Sequence, residues 1–324
     1  EEEMVLTITH NGYIKRTSLS TYRSQRRGGR GVQGASSREE DFVEHLFVAN
    51  THSYILFFTD KGKCYWVKVY DIPEGGRAAK GRAIVNLIGC EPDEKVSAFI
   101  SVKEFNDDHY VVMATEKGMV KKTKLSAYSN PRKKGIYAVE IRDGDKLIEA
   151  RVSTGDNDIL LGTRNGKSIR FSEEQIRASG RKTMGVKGIT LSSEDDRLVG
   201  MLLIKREGTV LVATEKGFGK RTEISQYRAQ KRGGKGVLTM KTTDKVGKMV
   251  TIKEVVDKDD LMIITNQGVL IRLPVAQIRS IGRATQGVKL IKLGEGTLVS
   301  SITRIMSEEE EDENNNTEST EPKE

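Results

Sequence analysis

Arginine and lysine side chains are concentrated in six short loops that recur along the chain. The loops span 23–30, 73–80, 129–134, 177–184, 228–235 and 279–286, and their 46 residues hold 18 Lys or Arg and one acid, Glu74. The other 278 residues hold 36 bases and 45 acids, so the entire positive excess of this +8 chain lies in the loops. Guanidinium and ammonium groups donate strong hydrogen bonds to oxyanions. We therefore expect the loops to bind an extended polyanion.

The loops belong to an internal repeat of roughly fifty residues. A turn glycine recurs at spacings of 50, 56, 48, 51 and 51 residues, at Gly12, Gly62, Gly118, Gly166, Gly217 and Gly268. A threonine stands three residues before each of them, and a tyrosine or isoleucine ten residues after: Tyr22, Ile72, Tyr128, Ile176, Tyr227 and Ile278. A second glycine follows the first by nineteen residues in five copies and by seventeen in the third. Because equivalent loops of a repeat array lie on one edge, the cations should merge there into a continuous positive track.

Each repeat has the pattern of short β-strands. Tyr110–Thr115 is a β-branched and apolar run that ends in a glycine turn, and Leu270–Leu273 is typical of the strand that leaves such a turn. A third strand is predicted after the second glycine, as at Ile136–Val139, and a fourth closes the repeat, as at Met201–Ile204. Four strands in six copies predict an all-β, six-bladed, propeller-like fold over residues 4–306. The pattern leaves open whether the blades form a closed disc or a shallow spiral.

Composition excludes several classes of protein. No apolar run reaches the length of a membrane span and no secretory signal opens the chain, so we expect a cytoplasmic protein without a membrane partner. The chain starts at Glu1 without an initiator Met, which suggests a piece of something larger. Cys64 and Cys90 lie in apolar context without metal-ligand spacing, so a buried, reduced pair is favoured over a disulfide or a metal site. No nucleophile elbow, nucleotide-binding loop or zinc-protease motif occurs, and catalytic residues are not expected.

The chain ends in an acidic segment. Residues 307–324 hold nine acids and one base, Lys323, so we expect them to form a disordered tail. Without this segment the body carries a net charge of +16. The tail either solubilises the protein or competes with the polyanion for the basic track. In the second case, deleting 307–324 should tighten binding at low salt and change it little at high salt.

The first loop contains a motif that resembles a known family. Gln25-Arg26-Arg27-Gly28-Gly29-Arg30-Gly31 matches the seven-residue box of the C-terminal domain of the DNA gyrase A subunit. The similarity extends over nearly the whole chain and includes 5–16 and 77–82. It implies a β-pinwheel, a propeller-like fold in which neighbouring blades exchange strands, with duplex DNA wrapped around the outer rim.

The resemblance also implies the biological context. The wrap would serve negative supercoiling during ATP-dependent strand passage by a bacterial enzyme that is nucleoid-associated in the cytoplasm. The active-site tyrosine, the ATPase and the Mg²⁺ site would lie outside this chain, in the N-terminal part of the gyrase A subunit and in the gyrase B subunit, assembled as A2B2. Alternatives are the C-terminal domain of the topoisomerase IV A subunit, which is expected to lack an intact box, a propeller scaffold for acidic proteins, and a propeller enzyme.

The predicted site residues fall into two groups. The box, Gln25 to Gly31, is the primary DNA-binding site, because arginine forks pair with phosphate oxygens and glycines let the backbone approach. A related sequence at 230–236 is treated as a secondary contact. The secondary DNA-binding residues are Arg23, Arg77, Lys80, Arg132, Lys133, Lys134, Arg177, Arg181, Lys182, Arg228, Lys231, Arg232, Lys235, Arg279 and Arg283. Residues four positions after the turn glycines, such as Arg16, form either a second cationic row or a plain solvated surface.

Overall fold

The computed structural model describes residues 1–21, 41–76, 78–205 and 208–305. Strands in the first half are β1 (Glu3–Thr9), β2 (Tyr13–Ser18), β3 (Val43–Asn50), β4 (Tyr54–Thr59), β5 (Lys63–Lys68), β6 (Arg82–Ala83), β7 (Val96–Val102), β8 (Tyr110–Thr115), β9 (Met119–Lys124), β10 (Ile136–Tyr137), β11 (Leu147–Ser153) and β12 (Asp158–Thr163). Those in the second half are β13 (Lys167–Ser172), β14 (Val186–Lys187), β15 (Leu198–Leu203), β16 (Thr209–Thr214), β17 (Phe218–Glu223), β18 (Val237–Leu238), β19 (Met249–Val255), β20 (Asp260–Thr265), β21 (Leu270–Pro274), β22 (Val288–Lys289) and β23 (Val299–Ile305).

Helical segments are short. The α-helix α1 (Ile84–Ile88) follows β6. Single 3₁₀ turns precede the basic loops of repeats 2 to 6, at Val69–Asp71, Leu125–Tyr128, Glu173–Gln175, Ile224–Gln226 and Val275–Gln277. The sequence pattern did not predict α1, which is a short helix inside an otherwise β-rich repeat.

The Thr-x-x-Gly motif forms the hairpin turn of every blade. The glycine N–H donates to the threonine carbonyl, as from Gly62 to Thr59 at 3.0 Å. In five turns the threonine hydroxyl also accepts the N–H of the residue after the glycine. The six glycines have φ between +76° and +89°, which residues with a Cβ rarely adopt. The motif therefore recurs because each hairpin needs both a positive φ and a local acceptor.

Five sheets contain four antiparallel strands, in the orders β3-β1-β2-β6, β7-β4-β5-β10, β11-β8-β9-β14, β15-β12-β13-β18 and β19-β16-β17-β22. The sixth sheet has three strands within the described residues, β23-β20-β21. The six-bladed, all-β prediction is confirmed. Among the described residues, the strand after the second glycine of repeats 2 to 6 does not stay in its own repeat, where the sequence pattern had placed it. It completes the sheet of the preceding repeat, as the resemblance to a pinwheel implied.

The strands β3, β7, β11, β15, β19 and β23 form the inner ring of the propeller. β7, β11, β15, β19 and β23 contact one another in succession, and β23 also contacts β3. Phe47 of β3 stacks on Phe99 of β7, with ring centroids 5.4 Å apart. The inner ring therefore closes. Hydrophobic clusters lie between successive blades, for example Leu6 and Phe57 between the first and second. The core is thus a series of layers between blades, which makes each blade depend on its neighbours.

The predictions for the two cysteines and for the acidic tail can be compared with the structure only in part. Cys64 is buried and free, as expected, whereas Cys90 follows α1 and is half-buried. The predicted tail at 307–324 lies outside the described residues.

Within the described part of the chain, no helix is long and apolar enough to cross a membrane. Among the same residues, no group of three His, Cys, Asp or Glu side chains is placed to hold a metal ion.

Candidate nucleic-acid interface

The basic loops run from one blade to the next along the outer edge of the propeller. Each described loop starts at a buried residue, such as Ile72 or Tyr128, and ends at a second glycine. The strand that follows is the outermost strand of the preceding sheet. At Gly185 a Cβ would lie 2.3 Å from the carbonyl oxygen of Val120, in the neighbouring blade. The second glycine is therefore required where the loop closes against the backbone of the preceding blade.

Ten of the predicted cations point away from the protein. Their side chains are exposed and make no ion pair with a described residue. They are Lys80, Arg132, Lys133, Lys134, Arg177, Lys182, Arg228, Lys231, Lys235 and Arg279. The ammonium of Lys80 lies 4.2 Å from the ring centre of Tyr13. This edge therefore presents uncompensated positive charge in every loop from the second repeat to the sixth.

Three predicted cations also donate hydrogen bonds to the protein backbone. Arg181, Arg232 and Arg283 stand four residues before a second glycine and are half-buried. The guanidinium of Arg181 donates to the carbonyl of Tyr137 at 3.2 Å. That of Arg232 donates to the Lys187 carbonyl at 2.7 Å, and that of Arg283 to the Leu238 carbonyl. Each acceptor is the second residue of the preceding repeat's exchanged strand, so these arginines tie each loop to that strand.

The remaining predicted residues cannot be placed. The box from Gln25 to Gly31, and with it Arg23, lies outside the described residues, as does Arg77. The related loop of the fifth repeat is described. Its Gly233 N–H donates to the Gly188 carbonyl, and the carbonyl of Gly234 accepts the Thr190 N–H, both at 2.9 Å. With the double glycine held against the neighbouring blade, the flanking Lys231 and Lys235 are exposed.

The residues four positions after the turn glycines lie between blades. In the first five repeats they donate to backbone carbonyls at the start of the following loop or in the turn before it, and they are Arg16, Trp66, Lys122, Arg170 and Arg221. Arg16 donates from Nε to the Ile72 carbonyl at 2.7 Å, and the Trp66 indole donates to the Tyr128 carbonyl at 2.9 Å. Both alternatives considered for this row are therefore wrong in these repeats. Only Arg272, in the last repeat, is exposed.

Sequence reasoning missed three lysines that stand three residues after turn glycines. Lys121 and Lys220 are almost fully buried, and Lys15 is half-buried. Their ammonium groups donate to backbone carbonyls of the next blade's loop, at 2.9 Å from Lys15 to Gly76 and at 2.9 Å from Lys220 to Gly282. Burial lowers the pKa of Lys121 to about 7 and that of Lys220 to about 8. An alignment of the six repeats contains a signal for these residues, because lysine occupies this position in repeats 1, 3 and 5 and not in the others.

Fold and site together define a strand-exchanged propeller with a basic outer edge. The family model described as "DNA gyrase C-terminal domain, beta-propeller" matches the chain six times, at residues 3–50, 53–103, 109–154, 157–205, 208–255 and 259–305. The chain belongs to this DNA gyrase C-terminal domain family.

Curated relatives carry the name of the DNA gyrase A subunit. The protein of Staphylococcus epidermidis (strain ATCC 12228) is 47% identical over 312 residues, which cover 95% of this chain and 35% of the relative. That of Staphylococcus aureus (strain NCTC 8325) is 47% identical over 308 residues, covering 94% of this chain and 35% of the relative. The chain thus spans about a third of the length of these relatives. Their names favour gyrase over topoisomerase IV.

Solved structures share the fold. The C-terminal domain of DNA topoisomerase IV superposes with a TM-score of 0.84 at 26% identity, covering 95% of this chain and 94% of that one. A DNA gyrase A C-terminal domain superposes with a TM-score of 0.71 at 23% identity, covering 94% and 100%. Gyrase and topoisomerase IV domains therefore share this architecture, and fold alone does not separate them.

Proposed function

We propose that this domain binds duplex DNA along its basic outer edge and wraps it, so that a DNA gyrase introduces negative supercoils. The observation that carries the proposal is the set of ten exposed, unpaired cations distributed over consecutive loops of that edge. A continuous row of point charges matches the regular phosphates of a duplex better than it matches a compact anion. Membership of the gyrase family supports the same conclusion.

Binding of this kind positions DNA without reading its sequence. Loop cations contact phosphate oxygens, which carry no base identity. We therefore expect sequence-tolerant binding that favours bendable DNA. Bending a site of 20–30 base pairs by 40–90° costs on the order of 1–6 kcal/mol, so contacts on several blades must act together to offset it.

The complete enzyme would supply the chemistry. In this proposal the chain itself uses no cofactor and holds no catalytic residue. ATP, Mg²⁺ and the cleaving tyrosine act in the N-terminal part of the gyrase A subunit and in the gyrase B subunit, within an A2B2 assembly in the bacterial cytoplasm. The role of the domain is to present one DNA segment to the segment that the catalytic core holds.

Topology assays test the proposal most directly. The complete enzyme should introduce negative supercoils and should lose this activity when the domain is removed, while ATP-dependent relaxation remains. Ring closure of nicked DNA on the isolated domain should shift the linking number, because wrapping constrains writhe. An isolated domain that binds DNA without shifting the linking number would favour the topoisomerase IV alternative, which the superposition with that domain keeps in view.

A salt titration tests the electrostatic part. The logarithm of the DNA association constant should fall with the logarithm of salt concentration, with a slope of roughly −0.9 for each phosphate neutralised. Contacts from all ten exposed cations would give a slope of about −9. A flat response would contradict a polyanion partner.

Replacing the arginines of the box gives the most specific test of the primary DNA-binding site. Replacing Arg26, Arg27 and Arg30 with Ala should abolish wrapping and supercoiling and leave DNA cleavage and relaxation largely intact. The matched control replaces Lys103, Lys124 and Lys146, three exposed lysines outside the loops, with Ala. It removes the same charge and should still wrap. Normal supercoiling by the box variant would refute the assignment of the box.

A further inference from the structure

Three lysines, of which Lys121 and Lys220 are buried and Lys15 is half-buried, organise the backbone of three loops. Lys220 donates to the carbonyls of Gly282 and Thr285 at 2.9 and 3.0 Å, and also to that of Arg283. Lys15 donates to the carbonyls of Gly76 and Ala79, both at 2.9 Å, and Lys121 donates to the carbonyl of Arg181 at 2.7 Å. These loops belong to repeats 2, 4 and 6. In each of them, backbone oxygens are turned inward onto an ammonium group.

Inward carbonyls place the adjoining amide groups on the outside. In a trans peptide the N–H points away from the carbonyl, and no cis peptide occurs among the described residues. Five described N–H groups share a peptide with a lysine-bound loop carbonyl. That of Arg283 donates to Gln226 Oε1 at 3.1 Å, and the other four belong to Lys80, Lys182, Ala284 and Gln286. None of these four donates a hydrogen bond to a described residue. Three of the four residues are exposed and Gln286 is half-buried.

We propose that the loops of repeats 2, 4 and 6 are phosphate cradles, in which outward backbone N–H groups, oriented by Lys15, Lys121 and Lys220, bind phosphodiester oxygens of DNA. The cradles rest on the function proposed above and specify how the loops of repeats 2, 4 and 6 contact DNA. Exposed cations stand beside each cradle, for example Lys80 and Lys182 themselves and Arg279. The lysines are positioning residues, since their ammonium groups bind backbone carbonyls of the loops they hold.

The physical advantage is preorganisation. A flexible surface lysine must lose rotamer freedom when it binds a phosphate, whereas an amide in a pinned loop is already oriented. In the sixth repeat two of these amides, those of Ala284 and Gln286, lie in one loop, and neighbouring backbone amides in a turn can bind one anion together. The loops of repeats 3 and 5 lack the device, because Tyr65 and Ile169 occupy the positions that would hold the lysine.

Replacing a single amide by an ester tests the cradle. Substituting lactic acid for Ala284 removes one outward N–H and keeps the methyl side chain. The control places lactic acid at Ala276, an exposed alanine of the same repeat. The preceding carbonyl, that of Val275, also accepts hydrogen bonds, so each ester weakens one acceptor. Affinity of the whole chain for duplex DNA, its salt slope and the melting temperature should be measured together.

The expected result is a two- to tenfold weaker affinity for the Ala284 ester, about the effect of one lost hydrogen bond, and a change below about twofold for the control. Lys220→Met should likewise weaken binding without altering the salt slope, because the buried ammonium releases no counterion from DNA. Equal affinities for the Ala284 ester and the unmodified chain would overturn the cradle. So would a slope that becomes shallower by about 0.9 in Lys220→Met, since Lys220 would then contact phosphate itself. Failure of the unmodified chain to bind DNA would instead overturn the proposed function on which the cradle rests.

Discussion

Odd- and even-numbered repeats of this propeller share a fold and differ in how they hold the next loop. Three residues after the turn glycine, repeats 1, 3 and 5 carry Lys15, Lys121 and Lys220, whereas repeats 2, 4 and 6 carry Tyr65, Ile169 and Ile271. Ten residues after the same glycine, the odd repeats carry tyrosine and the even repeats isoleucine. The two alternations are in phase. The structural unit is therefore a pair of blades, used three times.

Odd and even repeats hold the following loop through different contacts. A lysine gathers carbonyls of the following loop onto its ammonium, as Lys220 does in the sixth repeat. The fifth-repeat loop lies over the apolar Ile169, where the carbonyls of Gly233 and Gly234 accept hydrogen bonds from Thr190 instead. Basic loops that look equivalent in sequence are thus of two kinds, because the residue beneath them differs.

Placing a lysine, the residue of the odd repeats, at the equivalent position of an even repeat should have the largest effect on stability. Ile169 is fully buried, and a Cβ on Gly234 would lie 3.6 Å from its Cδ1. In Ile169→Lys the ammonium would enter a site whose loop carbonyls are already bonded, so the free energy of unfolding should fall by about 3–5 kcal/mol. Urea denaturation measures this, with Ile169→Met as the volume-conserving control, expected to lose less than about 1.5 kcal/mol. A loss below about 1 kcal/mol for the lysine variant would show that the two types of site are interchangeable.

Charge removal should separate the two kinds of loop by their salt dependence. Arg228, Lys231 and Lys235 are exposed in the fifth-repeat loop, whereas Arg279 is the exposed cation of the sixth. Replacing the first three with Ala should make the salt slope of DNA binding shallower by about 2.7, and Arg279→Ala by about 0.9. Each exposed charge should contribute up to about 1 kcal/mol of binding free energy. Equal slopes for the two variants would remove the distinction between loops that bind mainly through side chains and loops that also use backbone.

The buried lysines should make stability depend on pH. The pKa of Lys121 is lowered from 10.5 to about 7 by burial, so between these values the unfolded chain binds more protons than the folded chain. The free energy of unfolding should therefore rise with pH above about 7, by up to about 1.4 kcal/mol per pH unit for this lysine, and should be insensitive to it below. Lys220, with a pKa of about 8, adds the same effect one pH unit higher.

Denaturation at several pH values between 6 and 9 tests this sign. The double variant Lys121→Met and Lys220→Met should have a flatter profile than the unmodified chain. Matching profiles would mean that the folded state does not disfavour the two charges, which would contradict the burial argument.

The smallest effect on stability is expected from the tyrosines of two odd-numbered repeats, Tyr128 and Tyr227. The Tyr227 hydroxyl lies 2.5 Å from the Thr239 hydroxyl, whereas the buried Tyr128 hydroxyl has no hydrogen-bond partner in the described structure. Tyr227→Phe should therefore lower the free energy of unfolding by about 1 kcal/mol, and Tyr128→Phe should leave it unchanged or raise it slightly. Thermal or urea unfolding of the two single variants decides the point. A larger loss in Tyr128→Phe would reverse the assignment.

Local patterns in the chain predicted the parts of the fold that local interactions build. The hairpin turns, the six-bladed repeat and the exposure of cations such as Lys133 and Arg228 are of this kind. A Thr-x-x-Gly turn needs an acceptor three residues before its glycine and a positive φ, and both requirements are visible in four consecutive letters. The repeat then multiplies the signal six times, which makes it readable without a structure.

Tertiary structure decided which blade each short strand joins and which cations are free. Arg181 and Lys182 are adjacent in the same loop, yet Arg181 is tied to the Tyr137 carbonyl, 44 residues away in the chain, and Lys182 is exposed. Lys220 meets its acceptors 62 to 65 residues further on. A charged side chain has the same composition and local pattern whether it faces water or a neighbour's carbonyl. Only the packing of one blade against the next distinguishes the two, because the acceptors come from a neighbouring repeat.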